Sequence, residues 1–257
     1  MLRNNIRTIA GAFCLLAATG AIGAHATPDR TTLERAMIKA ISDGDSPAIE
    51  SLIKLGANAD AHDQQDHTML MLAEIQNQQT AALTLIAHGA NINAKTKSGL
   101  TVLMVTALEG SPEGVKTLLA KGANLDAKTK DGNTALMAAA HRDHIENIQA
   151  LIDGGANVND RNKQGETPLM WMAERGDSNG ALLLLEKKAN PNAQDADGDN
   201  ALVRAVESGS VETVKVLLSH GANPNLDPGM GHTPLETAIM AHSDTITQIL
   251  KDAGAAR

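Results

Sequence analysis

The residues that could carry chemistry in this chain are histidines, methionines and paired acids. Eight of the nine histidines lie beyond residue 26. His141 and His144 are three apart, and His62 and His67 flank a turn that also holds Asp63 and Asp66. Either pair would grip a metal only with further ligands in tetrahedral reach, and no His-Glu-x-x-His or other dense ligand spacing supplies them. His88 and His220 each precede a glycine, at helix ends where a cation is favoured. Met71, Met104, Met137 and Met170 recur at one interval, and soft thioethers bind Cu(I) or absorb oxidants. The competing reading of that series is packing, since Met is an adaptable core filler. There is no Gly-x-Ser-x-Gly elbow and no phosphate-cradling glycine loop. Asp131-Gly132 and Asp197-Gly198 are turn chemistry. Asp195 and Asp197 would sit at mobile turn tips, where nothing keeps a substrate dry. The expectation is a protein that is not an enzyme and needs no cofactor or metal; the alternative is a redox- or metal-handling protein built on its Met and His residues.

The elements that position these residues are written at a fixed interval. Gly-Ala-Asn opens at Gly56, Gly89, Gly122, Gly155 and Gly221, with Lys-Ala-Asn at Lys188, a period of 33 residues without insertion. Within one period, Asp126 to Asn133 is polar and turn-rich, Thr134 opens a short first helix, Arg142-Asp143 breaks it, and a second helix runs from Ile145 to Ile152. Thr68, Thr101, Thr134, Thr167 and Thr233 stand where a hydroxyl can satisfy first-turn N–H groups. Glycine just past each second helix supplies a positive φ. Seven units follow: 30–62, 63–95, 96–128, 129–161, 162–194, 195–227 and a shortened 228–257. Nearly free of aromatics, such a chain can fold by burying aliphatic residues between neighbouring units instead of in one centre.

These units resemble the ankyrin repeat family. Thr167-Pro-Leu-Met-Trp-Met-Ala and Thr233-Pro-Leu-Glu-Thr-Ala are similar to its Thr-Pro-Leu-His signature, and Val214 to Asn225 to its second helix and turn. The resemblance implies an all-α ankyrin-repeat solenoid of stacked helix-turn-helix units with β-hairpin tips, a groove lined by first helices, and a role in binding other proteins. Three departures stand out. Met replaces the signature His in four consecutive units, followed by Val203 and Glu236; Lys188 takes a glycine position, at a cost of roughly 1 kcal/mol; Asp66 replaces a tip glycine.

Residues 1–26 stand outside the repeats. Arg3 and Arg7 precede an apolar run from Ile9 to Gly23, and Ala24-His25-Ala26 offers small residues for a signal peptidase, so a secretory signal peptide is expected, cleaved near Ala26. The run falls short of the ~20 residues of a membrane span, so no membrane insertion is expected after cleavage. Phe13 ahead of Cys14 argues against a lipoprotein. Loss of the two arginines takes the formal charge from −8 to −10 and leaves Trp171 as the sole aromatic. An acidic surface repels phosphate backbones, which disfavours nucleic acid. The expected location is the periplasm, or outside the cell. Residues 27–257 are expected to form one ankyrin repeat domain, monomeric because its end units carry polar caps.

The groove carries the sharper expectation. Leu72, Ile75, Val105 and Leu108 make an apolar patch on adjacent first helices, followed by His141, Arg142, Trp171, Glu174, Arg175 and Arg204. An apolar patch rimmed by charge marks an interaction site, and Trp and Arg dominate binding hot spots. For Leu72, Val105 and Trp171 the other reading is filler between units. The expected function is a non-catalytic, exported scaffold engaging a partner protein through this groove and the tips, as an inhibitor, an immunity-type protein or a helper of an envelope enzyme.

Overall fold

The computed structural model describes residues 29–226, 229 and 232–256, and the expected signal peptide, with Cys14 and the cleavage site after Ala26, lies outside them. The described residues divide into two compact units between Asn124 and Leu125. Unit 1 holds α1 (Arg30–Ser42), α2 (Ser46–Lys54), α3 (Met69–Ile75), α4 (Gln79–Ala87), α5 (Val102–Glu109) and α6 (Pro112–Ala120). Unit 2 holds α7 (Ala135–Arg142), α8 (Ile145–Asp153), α9 (Pro168–Glu174), α10 (Ser178–Glu186), α11 (Ala201–Glu207), α12 (Val211–Ser219), α13 (Pro234–Met240) and α14 (Asp244–Asp252). Odd-numbered helices are first helices and even-numbered ones second helices. In unit 1, α3 packs between α1 and α5; in unit 2, α9 packs between α7 and α11, and α13 follows α11.

The first helices are too short to be stable alone and depend on their caps and neighbours. Each recurring threonine accepts a hydrogen bond from the backbone N–H three residues on: Met71 at 3.2 Å, Met104 at 3.2 Å, Met137 at 3.3 Å, Met170 at 3.4 Å and Glu236 at 3.2 Å. The methionine sulfurs return the favour. The N–H groups of Thr68, Thr101 and Thr167 donate to the Sδ atoms of Met71, Met104 and Met170, each at 3.4 Å. A thioether thus closes the reciprocal cap that a carboxylate closes at Glu236, 2.9 Å from the Thr233 N–H. These methionines are buried, so the series is a core feature.

The tips are less strand-like than expected. Among the described residues each hairpin reduces to a single bridge, His62 with Thr68, Lys95 with Thr101 and Gln194 with Asn200. One recurring side chain holds each tip instead. Asp63 Oδ1 accepts from the N–H groups of Gln65 and His67, both at 2.8 Å, and Asn162 and Asp195 do the same for 164/166 and 197/199 at 3.0 Å. Thr96 and Thr129 hydroxyls accept from Leu100 and Asn133 at 3.1 Å. The expectation of a mobile Asp195 is therefore wrong: its side chain is 2% exposed, with Oδ1 bonded inside the turn and Oδ2 bonded to Arg204.

A second recurring side chain ties each repeat to the next. Asp60 and Asn93 in unit 1 accept from the backbone N–H groups of Asn91 and Asn124, at 2.7 and 2.8 Å. In unit 2 Asn159, Asn192 and Asn225 accept from Asn190, Asn223 and Ala256 at 2.6–2.7 Å. Those three asparagines also donate to the carbonyls of Lys188, Gly221 and Gly254 at 2.8–3.0 Å, using both ends of the amide.

Packing between and within repeats is set by paired large and small residues. A Cβ on Gly114 would lie 2.2 Å from Glu74 Oε2, and one on Gly180 would lie 2.1 Å from Met172 Sδ. Each glycine is the hollow into which the longer side chain fits. Glu74 is fully buried with Oε1 unpartnered, and Gln79 donates to its Oε2 at 3.3 Å. Loss of solvation lifts its carboxyl to about 7, against the weaker opposing pull of Gln79.

Lys188 adopts φ 70, the conformation its glycine counterparts hold at Gly155 and Gly221. Lys188→Gly should therefore raise stability by about 1 kcal/mol in chemical denaturation. For Glu74 the folded state favours the protonated form, so its contribution is complete below the ordinary value of 4.5 and is lost as pH rises towards about 7. Stability should fall by on the order of 3 kcal/mol across that window. Glu74→Gln should flatten the fall, read as denaturation midpoints at pH 5 and pH 8.

Candidate functional site

The ten residues expected to face a partner fall into distinct environments. Leu72 and Val105 leave the expected surface: they are 8% and 2% exposed and belong to the core of unit 1. Within unit 1, α3 is covered by its own second helix and by α1 and α5, and α5 by its own second helix and by α3, so their middle turns have little free face. Ile75 and Leu108, one turn further along α3 and α5, stay half-exposed on those adjacent helices.

In unit 2 the expected residues converge. His141 at the end of α7 and Trp171 on α9 meet edge to face, their ring centroids 5.3 Å apart at 68°. The half-buried indole donates through Nε1 to Glu166 Oε2 at 3.2 Å. His141, Glu166, Trp171, Glu174 and Arg175 line an open cavity of about 550 Å³. Arg142 is exposed beside them at the end of α7.

Arg204 on α11 is placed differently from a free anchor. Its guanidinium donates to Asp195 Oδ2 at 2.7 Å, with Asp199 at 3.8 Å, Glu174 at 3.9 Å and Glu166 at 4.0 Å. One cation therefore stands among four carboxylates. Burial opposes its charge, yet the bond to Asp195 and the other acids outweigh that and hold its pKa above the ordinary arginine value. The acids are correspondingly under-neutralised. Desolvation, then repulsion from Asp195, pushes Asp199 up; desolvation, then repulsion from Asp199, does the same to Glu207.

A second cavity, of about 430 Å³, lies alongside, lined by Asp197, Asp199, Val203, Glu207, His232, Thr237 and Met240. Met240 is 62% exposed, although it falls at the position of Ile75 and Leu108 in its own repeat. Glu166, Asp199 and Met240 were missed from sequence. Glu166 and Asp199 lie five residues before Trp171 and Arg204, an offset the repeat period makes visible once the tip is known to fold back on its helix. Elsewhere in unit 2, Asp143 shares a hydrogen bond with Asp177, which together with desolvation lifts Asp143 to about 6.

Among the described residues no group of three His, Cys, Asp or Glu side chains is placed to hold a metal, and no helix is long and apolar enough to cross a membrane.

The chain was compared with known proteins. A family profile described as "Ankyrin repeats (3 copies)" matches residues 14–96, 35–129, 103–195 and 172–256. Among solved structures, the ankyrin repeat domain of Bcl-3, titled a unique member of the IkappaB protein family, is similar over 84% of this chain and 97% of its own, with 30% identity and a TM-score of 0.74. A search of curated proteins found no match.

Removing the cation at the centre of the acidic group should expose what it offsets. Arg204→Met is expected to cost about 2–4 kcal/mol, because Asp195 is left charged in a nearly closed site. The deficit should shrink as pH falls towards 4, where the neighbouring acids take up protons. Urea denaturation at pH 7.5 and pH 4.5 measures both.

Proposed function

The chain belongs to the ankyrin repeat family, whose fold is in general a non-catalytic scaffold for binding proteins, and on that basis we propose that it engages a partner protein through its first-helix faces and tips. One observation carries the reading. Behind Ile75 and Leu108 the core is complete, with Met71, Ala73, Met104 and Ala107 fully or almost fully buried, yet both side chains remain half in solvent. Folding alone gives no reason for an isoleucine and a leucine there. A partner that covers them does. In unit 2 the first helices present Trp171, His141, Glu174 and Arg175, a mixture suited to a specific contact.

The proposal includes export. Arg3 and Arg7, the apolar run and Ala24-His25-Ala26 support a cleaved signal, which would place the protein in the periplasm or outside the cell. In that setting an ankyrin scaffold serves as an inhibitor or immunity-type partner of another protein, or as a helper of an envelope enzyme. The protein itself carries out no reaction in this reading.

Site-specific cross-linking in the native cell tests both parts. A photoreactive residue at Leu108 should form an adduct with one defined polypeptide, and the same residue at Leu83, 42% exposed on the second helix α4, should not. Equal labelling from both positions, or none from Leu108, would remove the first-helix face as the binding surface. The N-terminus of the mature protein should be Thr27, and an intact chain confined to the cytoplasm would remove export.

A further inference from the structure

The two cavities of unit 2 narrow the kind of partner. The first opens along α7 and α9 and the second along α11 and α13, and their charged lining is uneven. Glu166, Glu174, Asp197, Asp199 and Glu207 contribute five carboxylates, and Arg175 is the cation that lines either cavity. Arg204, next to them, is already bound by Asp195. The first cavity adds the indole of Trp171, whose N–H is fixed by Glu166, and indole is the aromatic surface that best attracts a cation. The second adds Val203 and the exposed Met240, an apolar wall below its carboxylates. A long side chain with an aliphatic stem and a cationic head matches both linings: the stem lies on Trp171 or on Val203 and Met240, and the head reaches the acids.

We infer that this face of unit 2 binds an extended segment of the partner protein bearing arginine or lysine, with one basic side chain seated in the Trp171 cavity and a second in the Met240 cavity. The inference rests on the protein-binding reading above and names the chemistry of the partner. Neighbouring packed helices lie about 8–10 Å apart, and an extended chain advances ~3.3 Å per residue. Trp171 on α9 and Met240 on α13 stand two helices apart, so basic residues about six apart in the segment match the two cavities. Desolvation first, and repulsion among the acids second, raise the proton affinity of Asp199 and Glu207, and an incoming guanidinium would relieve the repulsion.

The test uses the full chain and three synthetic peptides of 12 residues, each with Gly-Ser spacers and Arg, Gln or Glu at every third position. Calorimetry and Trp171 emission should show the Arg peptide binding at least tenfold more tightly than the Gln peptide, with affinity falling as salt rises, and the Glu peptide not binding. The variant Glu174→Gln, Asp197→Asn, Glu207→Gln alters exposed residues only, so its melting temperature should hold, while Arg-peptide affinity drops at least tenfold. Equal binding of the Arg and Gln peptides, or undiminished binding by the folded variant, would overturn the inference. Carrying the same three changes into the Leu108 cross-linking experiment separates the two claims. An adduct retained at full yield in the variant leaves the scaffold reading standing and overturns the basic segment; an adduct lost with them supports it.

Discussion

The interaction on which the rest depends is a single side-chain bond from each repeat to the backbone of the next. Asn159, Asn192 and Asn225 each accept an N–H and donate to a carbonyl one repeat away, so one planar amide fixes both the distance and the twist between layers. Asp60 can accept but has no N–H to give, so its layer is held by half as many such bonds. A longer loop would break both ends of each amide bridge, so these loops have little freedom to lengthen. That explains why the interval of 33 residues survives without insertion through changes in nearly everything else.

Within that frame, the core shows how neighbours compensate. Repeat proteins draw cohesion from nearest-neighbour interfaces, and here the adjustment is local to two positions. Met172 meets Gly180 where the second repeat places Ala73 and Ala81, and Glu74 meets Gly114 of the following repeat. The same volume is filled from one side or from the other. Where later repeats hold Ala107, Ala140 and Ala173, Glu74 adds volume and introduces a proton-sensitive group in a fully buried site.

The fold was legible because its signals are local and repeated. Threonine at a helix start and glycine at a helix end each have a short-range physical cause, and both are found where the period places them. The site was legible only in part. Spacing alone put Leu72 and Val105 on an open face, but a helical stripe argument assumes one covered side, and these helices are covered on more than one. The convergence of His141, Trp171, Glu174 and Arg175 was visible because those residues lie on helix positions related by the period. Glu166 and Asp199 reach the same place from the tips, and the tips fold back through turns whose anchoring side chains, Asp63, Thr96, Asn162 and Asp195, differ in type though not in role.

The thioether caps have a consequence for tolerance of acid. An imidazole at the signature position would gain a proton and lose its acceptor between neutral and mildly acidic conditions, and every layer that used it would weaken together. The sulfurs of Met71, Met104 and Met170 have no proton to gain in that range. Among the described residues the ionisable caps of first helices, Asp29 on α1 and Glu236 on α13, are each held below the ordinary carboxylate value, chiefly by the backbone N–H groups of Thr32 and Thr233. The three first turns closed by these sulfurs are thereby made indifferent to changes of acidity over that range.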